Sequence, residues 1–277
     1  MYRILVDSCG EFTEEMKNDP VFCSVPLTLT VGDWTGIDDE TFDQADFLKR
    51  VAACPLCPKS ACPSPEAYLK LFEGCDEVYV ITLSSQLSGS FNSAKTAATM
   101  CYESNDTIKI HVFDSCSASI GQTLLALRVN ELVKSGADFE EVVVKGEEYK
   151  LSINTYFVLD NLEHLRKNGR LSNIKAFVAS TLNIKPVMGA TDEGVIIQLG
   201  QKIGSKKALE RMSEIIIVEK SETPGKPLMI SHCNAPKKAE FVKSILEPTG
   251  LFSSIKILDT RGVSSLYAAD GGVIVAC

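Results

Sequence analysis

The residues best suited to hold a ligand are serines that follow an apolar run in the first half of the chain. Ser84, Ser85 and Ser88 come after the run Val78–Leu83, and a helical pattern begins at Ala94. This order predicts a strand, a hydroxyl-rich turn and a helix. α/β proteins use this arrangement to hold small anions at the edge of a sheet. Serine hydroxyls supply neutral donors for a carboxylate or phosphate. The alternative is that these serines only cap the helix and complete the turn.

Two other predicted strands end in similar residues, Asp7-Ser8-Cys9 and Asp114-Ser115-Cys116. A serine nucleophile would need a base and an oxyanion hole, usually on a G-x-S-x-G elbow, and the chain has no such elbow. The phosphate-binding and dinucleotide-binding glycine motifs are also missing. The three histidines are isolated in the sequence, so packed or solvated positions are expected for them. Hydroxyls without bases or metal ligands favour holding a ligand over transforming it.

The ten cysteines include one group with a spacing that could carry chemistry. Cys54, Cys57 and Cys62 lie in CPLCPKSACP, and its C-x-x-C start is typical of half a zinc or iron–sulfur site. A closed site needs a fourth ligand, and no second C-x-x-C or H-x-x-x-H pair exists. A metal site and a transient disulfide remain alternatives, and unbridged thiols are the favoured interpretation.

Composition and charge exclude several classes of protein. The chain of 277 residues carries a formal net charge of −8, with no clustered lysine and arginine to neutralise nucleic-acid phosphates. No apolar run approaches the roughly 20 residues needed to cross a bilayer, so stable membrane insertion is not expected. The first residues, MYRILVDSCG, lack the apolar core and cleavage site of a signal peptide. A cytoplasmic location is therefore expected.

The predicted elements divide the chain into two halves. In residues 1–150 strands alternate with helices, which predicts a mostly parallel sheet with helices on both faces. Asp33–Gly36 is predicted to be a turn, and Cys54–Pro65 a proline-rich loop without regular structure. From about residue 151, a hairpin at 184–199, strands at 227–232, 255–258 and 273–276, and helices at 177–182, 206–218 and 236–246 predict a mixed sheet. The expected fold class is α/β, with domains at 1–150 and 151–277.

Six segments of the chain, in this order, resemble the DegV family. They are ILVDSCGEF, ACPSPEAY, ITLSSQLSGSFNSA, VFDSCSASIGQ, LEHLRKNGRLS and IKPVM. The resemblance implies a two-domain α/β protein that encloses a long-chain fatty acid and needs no cofactor. It also implies a carrier subunit of bacterial fatty acid kinase, whose separate ATP-binding subunit phosphorylates the carboxylate. Carried over from the family pattern, the head group is held by Ser60 and Ser85, with Ser84 and Ser88 close by.

The chain departs from the family pattern at the head group. The family's Thr-Ser-Gln-Pro-Ser loop is replaced here by a segment that begins Lys59-Ser60-Ala61. The family's C-terminal segment carries a histidine, and its position falls at about Ala268 in this sequence. Tyr267 could supply a hydroxyl instead, or Arg261 a charge; alternatively, Tyr267 simply packs.

A basic segment near the middle of the chain suggests a partner contact. Arg170 occupies the place of a family arginine near the mouth of the pocket, and Arg166 and Lys167 precede it. The resemblance favours a contact of Arg170 with the kinase subunit or the phosphorylated product. The alternative is a solvated helix end, where cations are favourable against the helix dipole.

Three hypotheses about function follow. The first is a non-catalytic protein that binds a long-chain fatty acid and presents its carboxylate to a kinase in phospholipid synthesis. The second is a serine-dependent esterase or acyl transferase that uses one serine of Ser84–Ser88. The third is a thiol-based redox or metal-sensing module built on Cys54, Cys57 and Cys62.

Overall fold

The computed structural model describes residues 1–104, 107–171 and 183–277. The strands are β1 Tyr2–Asp7, β2 Phe22–Val25, β3 Thr28–Val31, β4 Trp34–Ile37, β5 Lys59–Ala61, β6 Glu77–Thr82, β7 Lys109–Asp114, β8 Thr155–Val158, β9 Ile184–Ala190, β10 Ile196–Ile203, β11 Lys226–His232, β12 Phe252–Asp259 and β13 Val273–Ala276. The α-helices are α1 Glu14–Asn18, α2 Gln44–Ala53, α3 Pro65–Phe72, α4 Ser90–Tyr102, α5 Ile120–Lys134, α6 Phe139–Lys150, α7 Glu163–Lys167, α8 Ser205–Lys220, α9 Pro236–Leu246 and α10 Gly262–Ala268. The predicted helix at 177–182 lies outside the described residues.

Four parallel strands form the sheet of the N-terminal half, in the order β2-β1-β6-β7. Alternate residues of each strand face opposite sides, so Leu5 packs with α3 and α4, whereas Ile4 and Val6 pack with α5 and α6. Both faces are therefore covered, as parallel sheets require. The predicted parallel sheet with helices on both faces is confirmed.

The C-terminal half forms a six-stranded mixed sheet in the order β10-β9-β8-β13-β11-β12. Only β11 and β12 pair in parallel among these neighbours, and the other four pairs are antiparallel. Helices α8 and α9 pack on one face. The predicted hairpin is β9 and β10, and the predicted mixed sheet is confirmed.

Helix α5 packs against both sheets. Leu125 and Val129 belong to the core of the parallel sheet, whereas Ile120 and Leu124 pack with Met229 of β11 and with β13. Ten of its 15 residues are buried, far more than a helix with one solvated face would bury. The helix therefore joins the two hydrophobic cores.

A third sheet, β4-β3-β5, corrects two predictions. The segment predicted as a turn at Asp33–Gly36 is mostly strand β4, and the turn lies one residue earlier, at Gly32 and Asp33. Gly36 permits this strand because the Trp34 indole lies where a Cβ at Gly36 would be, 2.3 Å away. The loop predicted at Cys54–Pro65 contains β5, an edge strand, where flanking prolines are tolerated.

Helices α6 and α10 lie where no helix was predicted. Asp138 begins α6 with a capping box, in which its carboxylate accepts from the amide of Glu141 at 2.9 Å. In contrast, α10 starts with glycine and has no side-chain cap of its own. Helix α4 begins at Ser90, four residues earlier than predicted, directly after the serine turn. No helix in the described ranges is long and apolar enough to span a bilayer.

Candidate functional site

A cavity lies at the carboxyl edge of the parallel sheet, between that edge and the C-terminal sheet. It comprises about 820 Å³ of space between protein atoms, a volume that includes its opening to solvent. Its wall is mostly apolar and comes from both halves of the chain, with Leu27, Leu83, Phe157, Leu165, Ile196 and Ile274 among the lining residues. The cavity is therefore suited to a largely apolar ligand.

Hydroxyls and one cation meet on the wall of this cavity. The hydroxyls of Ser60 and Tyr267 are hydrogen-bonded at 3.0 Å. The guanidinium carbon of Arg170 lies 5.6 Å from the centre of the Tyr267 ring, within the range of cation–π contacts. Ser88 also lines the cavity, and its hydroxyl lies 3.1 Å from that of Ser90. This group, named here the hydroxyl–arginine cluster, offers neutral donors and one positive charge to an anion.

Three separate segments position Ser60, Tyr267 and Arg170 of the cluster, and the serine turn supplies Ser88. Ser60 is the central residue of β5 and pairs with Leu29 of β3. Tyr267 belongs to α10, and the imidazole Nδ1 of His164 lies 2.7 Å from the carbonyl of Leu266 in the same helix. Arg170 follows α7 and donates from Nε to the carbonyl of Leu87 at 3.0 Å. The cluster therefore forms only in the folded chain, because its members are distant in sequence.

Ser84 does not line the cavity. Its buried hydroxyl donates to the carbonyl of Gly194 at 3.0 Å and accepts from the amide of Gln86 at 3.2 Å. Gly194 has φ of +80°, and a Cβ there would lie 2.3 Å from the Ser84 oxygen. Ser84 therefore joins the serine turn to the hairpin of β9 and β10.

Ser85 also lies outside the cavity wall, and its amide donates to the carboxylate of Asp114 at 3.1 Å. The amide of Cys116 donates to the same oxygen at 3.2 Å. The carboxylate of Asp7, at the end of β1, likewise accepts from two amides, those of Cys9 and Leu83. The two Asp-Ser-Cys segments thus fix the serine turn between them through their carboxylates.

A buried polar layer lies behind another part of the wall, where Cys9, Ser119 and Ser264 line the cavity. Ser264 donates to the carbonyl of Cys9 at 3.0 Å. Burial raises the pKa of Asp7 to about 6 and that of Glu11 to about 7, because it disfavours the charged carboxylate. Hydrogen bonds to each carboxylate offset this effect only in part.

No histidine lines the cavity in the described part of the chain. His111 pairs with Glu147 at 2.9 Å, and the pKa of the buried His232 is lowered by desolvation. The imidazole Nδ1 of His164 contacts the carbonyl of Leu266, so in the described part of the chain each histidine has a polar partner other than a serine hydroxyl.

All ten cysteines have free thiols. Cys57 lies near the cluster, because Asn168 donates to its sulfur at 3.4 Å and to the carbonyl of Pro58 at 3.0 Å. Within residues 1–104, 107–171 and 183–277, no group of three or more histidine, cysteine or acidic side chains could hold a metal ion.

Comparison with known proteins identifies the family. The family model described as "Uncharacterised protein, DegV family" matches residues 1–276. The chain belongs to the DegV family. A DegV domain-containing protein of Streptococcus pneumoniae is 36% identical over 276 residues, which cover 99% of this chain and 98% of that protein.

Solved structures of DegV proteins have the same fold. A DegV family protein of Ruminococcus gnavus with vaccenic acid is 44% identical, with a TM-score of 0.96 over 100% of this chain and 99% of that chain. The fatty acid kinase B3 protein of Streptococcus pneumoniae, loaded with linoleic acid, is 33% identical, with a TM-score of 0.91 over 99% and 98% of the two chains. A DegV family protein of Eubacterium eligens, loaded with heptadecanoic acid, is 26% identical, with a TM-score of 0.91 over 100% and 99%.

This DegV chain brings four of the six predicted site residues to the cavity wall: Ser60, Ser88, Tyr267 and Arg170. Ser84 and Ser85 are not on the cavity wall: the hydroxyl of Ser84 donates to Gly194, and the amide of Ser85 donates to Asp114. Sequence reasoning missed the contribution of Cys9 and of the α10 residues Val263 and Ser264. The repeated Asp-Ser-Cys pattern was a usable signal for Cys9, whereas α10 carried no recognisable pattern.

Proposed function

We propose that this DegV protein binds a long-chain fatty acid, with its chain in the cavity and its carboxylate at the hydroxyl–arginine cluster. The observation that carries the proposal is an apolar cavity whose wall, in the described part of the chain, has one guanidinium and a pair of hydrogen-bonded hydroxyls. The fatty acids bound to the related R. gnavus, E. eligens and S. pneumoniae proteins support the same ligand class.

Both parts of such a ligand match their surroundings. Each methylene moved from water into the cavity contributes about 0.8 kcal/mol. One hydroxyl of the Ser60–Tyr267 pair donates to the other, which leaves one O–H to donate to the carboxylate, and a hydrogen bond to a charged group contributes about 1.5–3 kcal/mol. Ser84 and Ser85 act indirectly, by fixing the turn that presents Ser88.

We further propose that the protein presents this carboxylate to a separate ATP-binding kinase subunit and has no catalytic residues of its own. The name of the S. pneumoniae relative, a fatty acid kinase protein, supports this role. Arg170 is the basic residue on the described part of the cavity wall, whereas Arg166 and Lys167 pair with Glu163 at 2.9 and 3.7 Å. Arg170 is therefore proposed to contact the kinase subunit or the acyl phosphate.

Extraction of the purified protein tests the ligand. Organic extracts analysed by mass spectrometry are expected to contain near-stoichiometric long-chain fatty acid. Ser60→Ala and Tyr267→Phe are expected to weaken the rebinding of a fluorescent fatty acid, whereas Ser244→Ala, on exposed α9, leaves it unchanged. Absence of lipid from repeated preparations, together with no binding of added fatty acid, would contradict the proposal.

Reconstitution with a fatty acid kinase ATP-binding subunit tests the carrier role. Acyl phosphate is expected only when both proteins and ATP are present, and Arg170→Ala is expected to lower turnover even at fatty acid concentrations that saturate the variant. Covalent labelling of Ser84, Ser85 or Ser88 by a fluorophosphonate would instead support a serine-dependent esterase or acyl transferase. Full turnover by Arg170→Ala would remove that residue from the partner contact.

A further inference from the structure

A buried carboxylate holds the start of α10, the helix that carries Tyr267. Asp38 comes directly after β4 and is fully buried. Its carboxylate accepts from the amides of Gly262 at 2.8 Å and Val263 at 2.9 Å. It also accepts from the hydroxyl of Ser8 at 2.9 Å. The first two amides of the helix, which have no partner within the helix, are thus bound by a residue 224 positions away.

The close approach of the Asp38 carboxylate to the start of α10 requires a glycine at position 262. A Cβ at Gly262 would lie 2.6 Å from the Asp38 carboxyl carbon and 2.6 Å from Leu29, too close without a shift of the backbone. Helix α2 makes a second contact with the start of α10. The Gln44 side chain donates to the carbonyl of Thr260 at 2.8 Å and lies 3.1 Å from the Ser265 hydroxyl. The N-terminal half therefore fixes the start of α10 at two points.

The same small sheet carries the partner of Tyr267. Leu29 of β3 pairs with Gly36 of β4 on one side and with Ser60 of β5 on the other. Asp38, two residues beyond Gly36, binds the first amides of α10. About one helical turn further along α10, the hydroxyl of Tyr267 lies 3.0 Å from that of Ser60. The positions of the Ser60 and Tyr267 hydroxyls therefore both depend on one strand, β3.

We propose that Asp38 is a positioning residue that sets the Tyr267 hydroxyl against Ser60 and so determines how strongly the cavity prefers a carboxylate head group. The inference rests on the proposed fatty acid binding. Asp38 touches no part of the ligand, since it is not on the cavity wall. Its effect passes through the helix to the head group, whereas loss of an ordinary helix cap would lower stability without changing ligand preference.

The test measures a ratio, the Kd for hexadecanol divided by the Kd for hexadecanoate, in the full-length protein freed of lipid. In the wild type the ratio is expected to be well above one. Asp38→Ala is expected to lower it at least fivefold, and Asp38→Asn, which keeps one acceptor oxygen, to an intermediate value. Asp138→Ala removes the cap of α6 away from the cavity and is the matched control, with the ratio unchanged.

A double-mutant comparison separates positioning from general damage. In a Tyr267→Phe background, Asp38→Ala is expected to change the ratio less than twofold, because the hydroxyl that it positions is gone. The proposal would be overturned if Asp38→Ala left the ratio unchanged. It would also be overturned if Asp38→Ala lowered the ratio equally in the wild-type and the Tyr267→Phe backgrounds. If Asp38→Ala does not fold, Asp38→Asn decides by the same criteria. Failure of the wild type to bind hexadecanoate would contradict the proposed function instead.

Discussion

Replacing Glu11 by glutamine is expected to change how the stability of the protein depends on pH. Glu11 is 1% exposed, in the polar layer behind the cavity. Its Oε1 accepts from the amide of Arg261 at 3.4 Å, and its Oε2 has no hydrogen-bond partner among the described residues. Burial raises its pKa from 4.5 to about 7. The folded protein therefore keeps this proton at a pH where the unfolded chain has released it.

The pKa difference sets the size and the sign of the effect. A rise of about two and a half units, at about 1.4 kcal/mol for each unit, corresponds to about 3 kcal/mol. This stabilisation is fully present below pH 4.5 and is lost as the pH rises through 7. Glutamine stays neutral, so Glu11→Gln removes this loss. Asp7, whose pKa is about 6, contributes in the same direction and is retained in the variant.

Urea unfolding at half-unit steps from pH 5 to pH 8 provides the measurement. The wild type is expected to lose more free energy of unfolding than Glu11→Gln over this range, by most of the 3 kcal/mol. Glu222→Gln, at an exposed position just after α8, should follow the wild-type curve. Parallel curves for the wild type and Glu11→Gln would show that Glu11 titrates normally in the folded state, and the reasoning from burial would be wrong.

Three further predictions concern the cavity, helix α10 and the surface. Ile196→Trp fills part of the cavity, and displacing only two methylenes costs about 1.6 kcal/mol. Titration should therefore show roughly tenfold weaker binding of hexadecanoate and little change for octanoate; equal losses for both would contradict the placement of the chain. Gly262→Ala is expected to lower the free energy of unfolding by about 1–3 kcal/mol in denaturant, because its Cβ would meet Asp38. Lys134→Ala removes a solvent-exposed pair with Asp19, and its unfolding midpoint should match that of the wild type.

Local patterns in the sequence predicted most of the regular structure. Strands β1 and β6 each contain an apolar run that ends at a polar residue, and their two buried faces explain this continuous apolar character. Helix α6 was detectable as well, since Asp138 and Glu141 have the spacing of a capping box. The helix was not predicted because this capping box was not recognised as a start signal. Local sequence preference and tertiary packing do not conflict there.

Long-range contacts account for what the sequence did not reveal. Strand β5 is three residues long and exists because Ser60 pairs with Leu29. Helix α10 lacks a local cap, and its amides find Asp38 across 224 positions. Ser84 resembled a ligand residue, but its hydroxyl is taken by Gly194, 110 positions away. A turn's composition indicates that donors are present, whereas the partner of each donor depends on the tertiary structure.

The burial of α5 between two sheets limits how DegV proteins can be recombined. A chimaera that joined the first half of one relative to the second half of another would set a foreign surface against Ile120 and Leu124. Met229 and Ala276, which pack there, would have to be exchanged together with that helix. A crossover before residue 120 keeps these contacts but sets foreign residues of the parallel sheet against Leu125 and Val129, so the residues of both sheets that contact the helix must be exchanged with it.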